Sequence, residues 1–426
     1  MKTINLNIIN EKIYYEKLDN GLEVFISYNK NFKNNYATYL TNFGGNDIEF
    51  IPYGQKDMVK VPTGIAHFLE HKLFEQEDGE SVHDFYKKTG TYDNASTDSK
   101  YTRYIINGPF NFKENLAFLL EYVNSPYFTD KNVEKEKGII LEEESMGKDN
   151  PNRLFFETIN KNLFNSKAYQ NSVIGTRKDI KSITKEDLYT CYNTFYHPSN
   201  MVLFVSTNEK PEEIINIVKK KVKTDKKDFK IVKKEYDEEE KVRVKKEVLH
   251  NQNVTETRIC YSLKYKVSDF NASKDELNYY YKILLSLLVG ELSDFNLDLK
   301  KNKIIKDDIY FDVSFEKFKN DEFMIISIIT LTNKTNEFVK LLEEQLMKKD
   351  YKKEEFELYK KDIKADLTWN FNSQVNIMFF MQNSYSFDKK IDNDRINLLD
   401  KLNFDRFKEV TNKLSLNNKS IVILKK

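Results

Sequence analysis

The chain is organised around Gly64-Ile65-Ala66-His67-Phe68-Leu69-Glu70-His71-Lys72-Leu73-Phe74. No proline interrupts this stretch, and its apolar residues recur at helical spacing, which predicts a helix. His67 and His71 are four residues apart, so their imidazoles project from one face of that helix, one turn apart. Two imidazoles in this arrangement are able to hold one zinc ion.

Glu70 adds a carboxylate to the same face, because it lies three residues after the first histidine. There it could take a proton from a water molecule at the metal. The pattern His-x-x-Glu-His is the inverted form of the commoner zinc signature His-Glu-x-x-His. The alternative is an ordinary helix face, although the chain has only 5 histidines in 426 residues. A third ligand in a workable place would favour the metal site.

The composition indicates a globular protein of more than one domain. A chain of 426 residues exceeds one ordinary core, so we expect roughly two to four domains or subdomains. The 68 Lys and Arg residues against 67 Asp and Glu residues give a net charge of +1, which argues against a nucleic-acid binder. The N-terminal residues show no apolar signal segment, and no stretch is long enough to span a membrane. We therefore expect a cytoplasmic protein without a membrane partner.

Strand-type and helix-type patterns alternate in both halves of the chain. In the first half we predict strands at 12–28 (a hairpin), 36–43, 93–107 and 201–207, and helices at 65–77, 81–88, 112–125, 131–149, from Pro151, from Thr184 and 211–223. In the second half we predict strands at 255–264, 309–315, 322–332 and 420–424, and helices at 276–292, 337–349, 353–367 and 404–414. This similar order predicts an internal structural duplication.

The predicted fold class is α+β, with two related halves that each consist of a mostly antiparallel sheet covered by helices. Residues 1–228 form the zinc-binding half and residues 248–426 form the second half. Between them, residues 229–247 are rich in mixed charges and predict a linker. Because Val242 and Val244 alternate, an exposed edge strand is the other interpretation of this segment. Cys191 and Cys260 are predicted to be buried thiols.

The helix at 131–149 offers candidates for the third ligand. Glu136 and Glu143 are two helical turns apart and share one face. Apolar residues beside that face, Ile139 and Ile140, predict that part of the helix is buried, and a buried carboxylate needs a partner such as zinc. The pattern alone leaves Glu142, Glu143 and Glu144 open as the ligand.

Three segments together resemble the pitrilysin/insulinase family of zinc peptidases: Gly64 to Phe74, Asn94-Ala95 with Thr97, and Glu134 to Glu143. The resemblance implies the fold of that family, which mitochondrial processing peptidase shares. It also implies Glu143 as the third zinc ligand and Glu136 as its support. It further implies that Asn94, Ala95 and Thr97 form a strand edge that pairs with an extended peptide substrate.

The resemblance extends to a narrower group. Ala66 to Glu75, Pro126 to Thr129 and Asp187 to Met201 are similar to the bacterial YmfH-type branch of the family. The similarity covers most of residues 12–208, whereas the second half matches in element order and length only. His197 falls in a segment that is structural in the family, so we do not expect it to be a ligand.

One feature of active family members is absent from the sequence. They carry an Arg and a Tyr, seven residues apart, in the second half. The corresponding positions here are Lys300 and Tyr310, and lysine lacks the fixed fork of arginine. The resemblance therefore implies one of two things: a second family subunit, or a second copy in a homodimer, supplies the pair, or the chain has weak or no activity alone. Of these we expect the partner.

The predicted function is that of a zinc-dependent endopeptidase acting on short or unfolded peptides in an enclosed chamber, with Zn²⁺ at His67, His71 and Glu143 and Glu70 as the general base. We expect the chain to be the zinc-bearing subunit of a heterodimer. Two alternatives stay open: a maturation or leader peptidase for a ribosomally made modified peptide, and a non-catalytic scaffold or peptide-binding subunit that retains the fold.

Overall fold

The computed structural model describes residues 1–6, 11–224, 230–391 and 394–426 of the chain. These residues form two compact units, and each unit is assembled from several segments. Unit 1 comprises Met1–Glu144, Asn171–Lys234 and Leu367–Asn393. Unit 2 comprises Ser145–Gln170, Glu235–Asp366 and Asp394–Lys426.

The strands and helices follow chain order. The strands are β1 (Lys2–Leu6), β2 (Glu11–Lys17), β3 (Glu23–Tyr28), β4 (Asn35–Thr41), β5 (Glu49–Ile51), β6 (Val59–Lys60), β7 (Tyr92–Thr97), β8 (Thr102–Gly108), β9 (Met201–Thr207), β10 (Val232–Lys233), β11 (Lys246–His250), β12 (Arg258–Lys266), β13 (Tyr310–Lys317), β14 (Glu322–Leu331) and β15 (Lys419–Lys425). The helices are α1 (Ile65–Lys72), α2 (Val82–Lys88), α3 (Phe112–Val123), α4 (Asp130–Asp149), α5 (Pro151–Leu163), α6 (Arg177–Ser182), α7 (Lys185–Phe195), α8 (Pro211–Lys221), α9 (Lys274–Val289), α10 (Asp294–Lys301), α11 (Thr335–Leu346), α12 (Lys353–Asn370), α13 (Gln374–Asp388), α14 (Asp394–Lys401) and α15 (Phe404–Thr411).

The main sheet of unit 1 has the strand order β1-β2-β3-β9-β4-β8-β7. All neighbours are antiparallel except β3 and β9, which run parallel. The hairpin predicted at residues 12–28 is confirmed, because β2 pairs with β3 across the turn Asp19-Asn20-Gly21, where Gly21 adopts a positive φ of 88°. Strand β7 lies at one end of the sheet, so in the described part of the chain it has a strand neighbour on one side only.

The two faces of this sheet carry different helices, because successive side chains of a strand point to opposite faces. Tyr39 and Leu203 point into the core that also contains residues of α1, α3 and α7. Thr38 and Phe204 point to the other face, where α13 covers them through Gln382 and Tyr385. Helix α13 belongs to the second half of the sequence, and the sequence did not predict it.

The sheet of unit 2 has the strand order β11-β15-β12-β14-β13. Strands β11 and β15 are parallel and the remaining pairs are antiparallel. The segment β3-β9-β4-β8-β7 of unit 1 has the same order and the same directions, so the predicted duplication is confirmed in the topology. Helix α5 covers one face of the unit 2 sheet, where Phe155 and Leu163 pack with Cys260 and Val422.

The two units therefore do not correspond to one N-terminal and one C-terminal segment of the chain. Residues 145–170 from the first half belong to unit 2, and residues 367–393 from the second half belong to unit 1. The boundary predicted after residue 228 falls outside the described residues and stays a prediction. Within the predicted linker, β10 pairs with β5, whereas Val242 and Val244 lie outside the regular strands and β11 begins only at Lys246.

Two further expectations concern buried thiols and membrane spans. Cys191 and Cys260 are both buried and free, as predicted. Within the ranges that the structure describes, no helix combines the length and the apolar composition needed to cross a membrane.

Candidate metal centre

Helix α1 begins at a position that only glycine fits. Gly64 precedes the helix with a φ of 87°, in the left-handed region. A Cβ atom at this position would lie 2.1 Å from the carbonyl oxygen of Ile174. Gly175 adopts the same φ, and its own Cβ would lie 2.3 Å from the carbonyl oxygen of Thr63. The two glycines therefore let two backbone segments meet at the start of the helix that carries both histidines.

The structure brings His67, His71 and Glu143 together. One donor atom of each residue lies within 4.8 Å of the others. The Nε2 atom of His67 is 3.7 Å from Oε1 of Glu143, and the Nε2 atom of His71 is 3.5 Å from Oε2 of the same carboxylate. His67 is buried, while the Glu143 side chain is 39% exposed, so one side of the group is open to solvent.

These donors fit a zinc ion. Ligand atoms about 2.0–2.2 Å from a tetrahedral ion stand roughly 3.4 Å from each other, close to the separations between Glu143 and the two histidines. Two imidazoles and a carboxylate also make up the donor set of catalytic zinc sites that keep a fourth position for water. Their role as ligands stays a prediction, since it rests on donor chemistry and spacing.

Glu136 lies behind His71. Its Oε1 atom is 3.0 Å from Nδ1 of the imidazole. Since an ionised carboxylate only accepts hydrogen bonds, Nδ1–H of His71 donates to Glu136, and Nε2 on the other side of the ring faces Glu143. Burial lowers the pKa of His71, but the hydrogen bond and charge of Glu136, with the charges of Glu70 and Glu143, raise it, and the net direction is upward.

The two carboxylates left open as alternatives to Glu143 have other surroundings. Glu142 is exposed. Glu144 is buried and accepts a hydrogen bond from Nη1 of Arg177 at 3.1 Å. Along α4, Ile140 is fully buried and Ile139 is 46% exposed, so the prediction that part of this helix is buried is confirmed, through Ile140 and not Ile139. The buried stripe of this helix runs through Glu136, Ile140 and Glu144, and Glu143 lies at its flank.

The carboxylate of Glu70 is held from the neighbouring sheet. The Thr97 hydroxyl, on edge strand β7, donates a hydrogen bond to Oε2 of Glu70. Burial raises the pKa of Glu70, and the Thr97 hydrogen bond and the charge of His71 offset this only in part. Sequence reasoning assigned Thr97 to the substrate edge and missed this contact, for which the sequence carries no signal.

The remaining residues of the predicted substrate edge lie on the same strand. Asn94 is exposed, and its side chain donates to the hydroxyl of Tyr92 at 2.8 Å. Its amide oxygen accepts from the backbone N–H of Ala95 at 2.9 Å. Strand β7 ends the sheet, so among the described strands its outer edge has no strand partner.

Other residues considered in the sequence lie elsewhere. His83 has a 64% exposed side chain whose Nδ1 contacts Asp93 at 2.5 Å. His197 contacts its neighbour Ser199. In unit 2, Lys300 forms an ion pair with Asp308 at 2.8 Å, while the Tyr310 side chain is largely exposed.

Comparisons with known proteins show which peptidases this chain is similar to. A family model described as Insulinase (Peptidase family M16) matches residues 57–177, and one described as Peptidase M16 inactive domain matches residues 182–363. The uncharacterized zinc protease YmfH of Bacillus subtilis (strain 168) is 40% identical over 323 residues, 74% of this chain and 74% of that protein. An M16-like peptidase from Alicyclobacillus acidocaldarius is similar in structure, with a TM-score of 0.86, 25% identity and 97% of both chains covered. The human mitochondrial-processing peptidase subunit beta is 25% identical over 164 residues, 37% of this chain and 33% of that protein.

Proposed function

This chain belongs to the insulinase family of peptidases, family M16, and from that premise we propose that it is a zinc-dependent endopeptidase. The observation that carries the proposal is the meeting of His67, His71 and Glu143 within 4.8 Å. Glu70 lies on the same helix as the histidines, with its carboxylate fixed by Thr97.

A zinc ion held by His67, His71 and Glu143 would supply Lewis acidity to a water molecule and to the scissile carbonyl. In the proposed reaction Glu70 takes the proton of the attacking water and passes it to the leaving amine. Its raised pKa suits both steps, because a stronger base accepts the proton more readily and a weak acid still gives it to an amine. Glu136 keeps the His71 ring in one orientation throughout.

The proposed substrate is a short or unfolded peptide. Such a chain is able to add to the open edge of β7, where main-chain hydrogen bonds give affinity and alternate side chains face the sheet surfaces. Asn94, Ala95 and Thr97 lie along this edge. Since Thr97 also touches Glu70, the pairing would bring the peptide bond beside the base.

We further propose that a second family subunit completes the enzyme and encloses the peptide in a chamber. The likeness to a mitochondrial-processing peptidase subunit supports this partnership, and a homodimer is the simpler variant. Lys300 stands near the position of the family's arginine, but its ammonium is engaged by Asp308. A cytoplasmic location stays an expectation from the sequence.

The test compares the wild-type chain with the Glu70→Gln variant. Each is assayed alone and after co-expression with a second family member encoded by a neighbouring gene. We expect about one equivalent of zinc in both proteins and cleavage of a quenched peptide library by the wild type only. Cleavage by Glu70→Gln at the wild-type rate would overturn the mechanism. Less than about a tenth of an equivalent of zinc in the wild type would favour the scaffold function.

A further inference from the structure

A pocket of about 240 Å³ lies within unit 2, between helix α5 and the edge strand β13. Its floor is apolar and includes the buried side chains of Leu163 and Ile325. Strand β13 ends the sheet of unit 2 just as β7 ends the sheet of unit 1. The pocket is therefore distinct from the candidate metal centre, all of whose residues belong to unit 1.

The wall of the pocket is a row of oxygen atoms. Tyr310, Asp312, Ser314 and Glu316 alternate along β13, so their side chains share one face of the strand. Ser327 of β14 stands opposite Asp312 in the strand register and also lines the pocket. Hydroxyl and carboxylate oxygens all accept hydrogen bonds, so the wall suits a ligand that is rich in donors.

The charge of the pocket is negative. None of the described residues that line it is Lys, Arg or His, although the chain holds 68 Lys and Arg residues. Glu316 already accepts a hydrogen bond from Tyr169. Asp312 is exposed and has no ion-pair partner among the residues that the structure describes. Burial and the charge of Asp312 raise the pKa of Tyr310, so that phenol lies within the field of the carboxylate and keeps its proton.

A nearby cation does not neutralise this charge. The ammonium of Lys264 lies 5.1 Å from the centre of the Phe164 ring, and Phe164 lines the pocket. However, that ammonium is buried and bound to Glu238 at 2.7 Å, so its charge is already matched.

We propose that this pocket binds the side chain of a lysine or arginine residue of a peptide. Both side chains carry a head group that only donates hydrogen bonds, on an aliphatic stem. The stem would lie against the apolar floor and the head group would bond to Asp312, with Ser314 and Ser327 beside it. The exposed ring of Tyr310 offers a further contact to the cation. The inference rests on the proposed function only in taking the ligand to be a peptide.

The experiment measures binding in the full chain carrying Glu70→Gln, so that peptides are not cleaved. Fluorescent acetylated heptapeptides would differ at the central residue only: Lys, Arg, norleucine or Glu. By anisotropy we expect the Lys or Arg peptide to bind about tenfold more tightly than the norleucine peptide, which corresponds to about 1.4 kcal/mol. A ratio near one would overturn the proposal.

Variants locate the preference. Asp312→Asn should reduce the tenfold ratio to less than about twofold, whereas Asp298→Asn, an exposed carboxylate on α10 outside the pocket, should leave it unchanged. Ser314→Arg puts a guanidinium on the same strand face and should abolish the preference, while Ser314→Ala should retain most of it. Equal effects of Asp312→Asn and Asp298→Asn would assign the preference to general surface charge and refute the pocket.

Two further measurements test whether the ligand is a peptide and whether the pocket and the metal centre fail independently. An excess of 1,5-diaminopentane should not displace the Lys peptide. If the diamine displaced the peptide fully when both were at the same concentration, the pocket would be a site for free diamines, and the assignment to a peptide side chain would be contradicted. Wild-type cleavage of the norleucine peptide reports on the metal centre alone. Failure of the pocket would leave that cleavage intact, and failure of the proposed function would leave the binding ratio in Glu70→Gln intact.

Discussion

The hydroxyl of Thr97 donates a hydrogen bond to Oε2 of Glu70 and so joins the edge strand β7 to the helix that carries His67 and His71. A peptide that pairs with β7 would therefore act on the same strand that fixes the proposed base. The contact would make Thr97 a positioning residue, in addition to its proposed place on the substrate edge.

Replacing Thr97 tests this role. Thr97→Val removes the donor at nearly constant volume, and a hydrogen bond to a charged group contributes about 1.5–3 kcal/mol, so we expect kcat to fall roughly 10- to 100-fold. Thr97→Ser should retain most of kcat. Steady-state kinetics with zinc analysis is the measurement. A rise in KM at constant kcat would instead make Thr97 a substrate contact only.

Glu136 is expected to govern zinc affinity through the His71 ring. Glu136→Gln weakens the contact that orients Nδ1, and loss of such a partner typically lowers metal affinity about 10- to 100-fold. Competition with a chromogenic chelator measures the dissociation constant. The matched control is Glu134→Gln on the same helix, where the carboxylate is exposed and pairs with Lys137. Equal affinities for both variants would contradict the assignment.

Glu143 is expected to be the third ligand. Glu143→Gln keeps the shape but removes the negative donor, so zinc affinity should fall by more than about 100-fold, beyond the loss for a partner behind a ligand. Glu142→Gln, its exposed neighbour, should bind zinc like the wild type. Zinc content after dialysis against a weak chelator distinguishes them. The reverse order of the two variants would move the ligand to Glu142.

Local patterns predicted most of the sheets, because alternation and turn residues act over short distances. The hairpin predicted at residues 12–28 is present, and the helix predicted from Thr184 begins with a capping box between Thr184 and Asp187. The exchange of helices between the units could not be predicted in this way. Helix α13 has apolar residues on all sides, so its sequence does not indicate which face is buried. The structure shows that Tyr385 and Gln382 are buried because they pack on the sheet of unit 1.

The candidate metal centre likewise has features that local sequence patterns predict and features that they do not. The spacing of His67 and His71 is a property of one helix and was visible in the sequence. The choice among Glu142, Glu143 and Glu144 depends on how α4 is rotated against α1, which the ion pair of Glu144 with Arg177 helps to fix. That pair is 33 residues apart in sequence, so no local pattern reveals it.

The start of helix α1 gives a prediction on stability. Gly64 has a φ of 87°, and its Cβ would lie 2.1 Å from the Ile174 carbonyl oxygen. A left-handed L-residue costs about 1–2 kcal/mol before any clash is counted, so Gly64→Ala should lower the free energy of unfolding by at least about 2 kcal/mol. The control is Gly138→Ala in α4, where, apart from the adjacent backbone of the helix itself, no atom of the described residues lies within 4 Å of the added Cβ.

Gly138→Ala should raise the free energy of unfolding by up to about 1 kcal/mol, since alanine favours a helix interior more than glycine does. Urea denaturation followed by circular dichroism compares the two variants with the wild type. Because Gly64 fixes the first turn before His67, Gly64→Ala should also lower zinc affinity, and Gly138→Ala should not. Equal midpoints for the two variants would show that the Gly64 backbone relaxes freely, and the proposed junction with Gly175 would then not position the histidines.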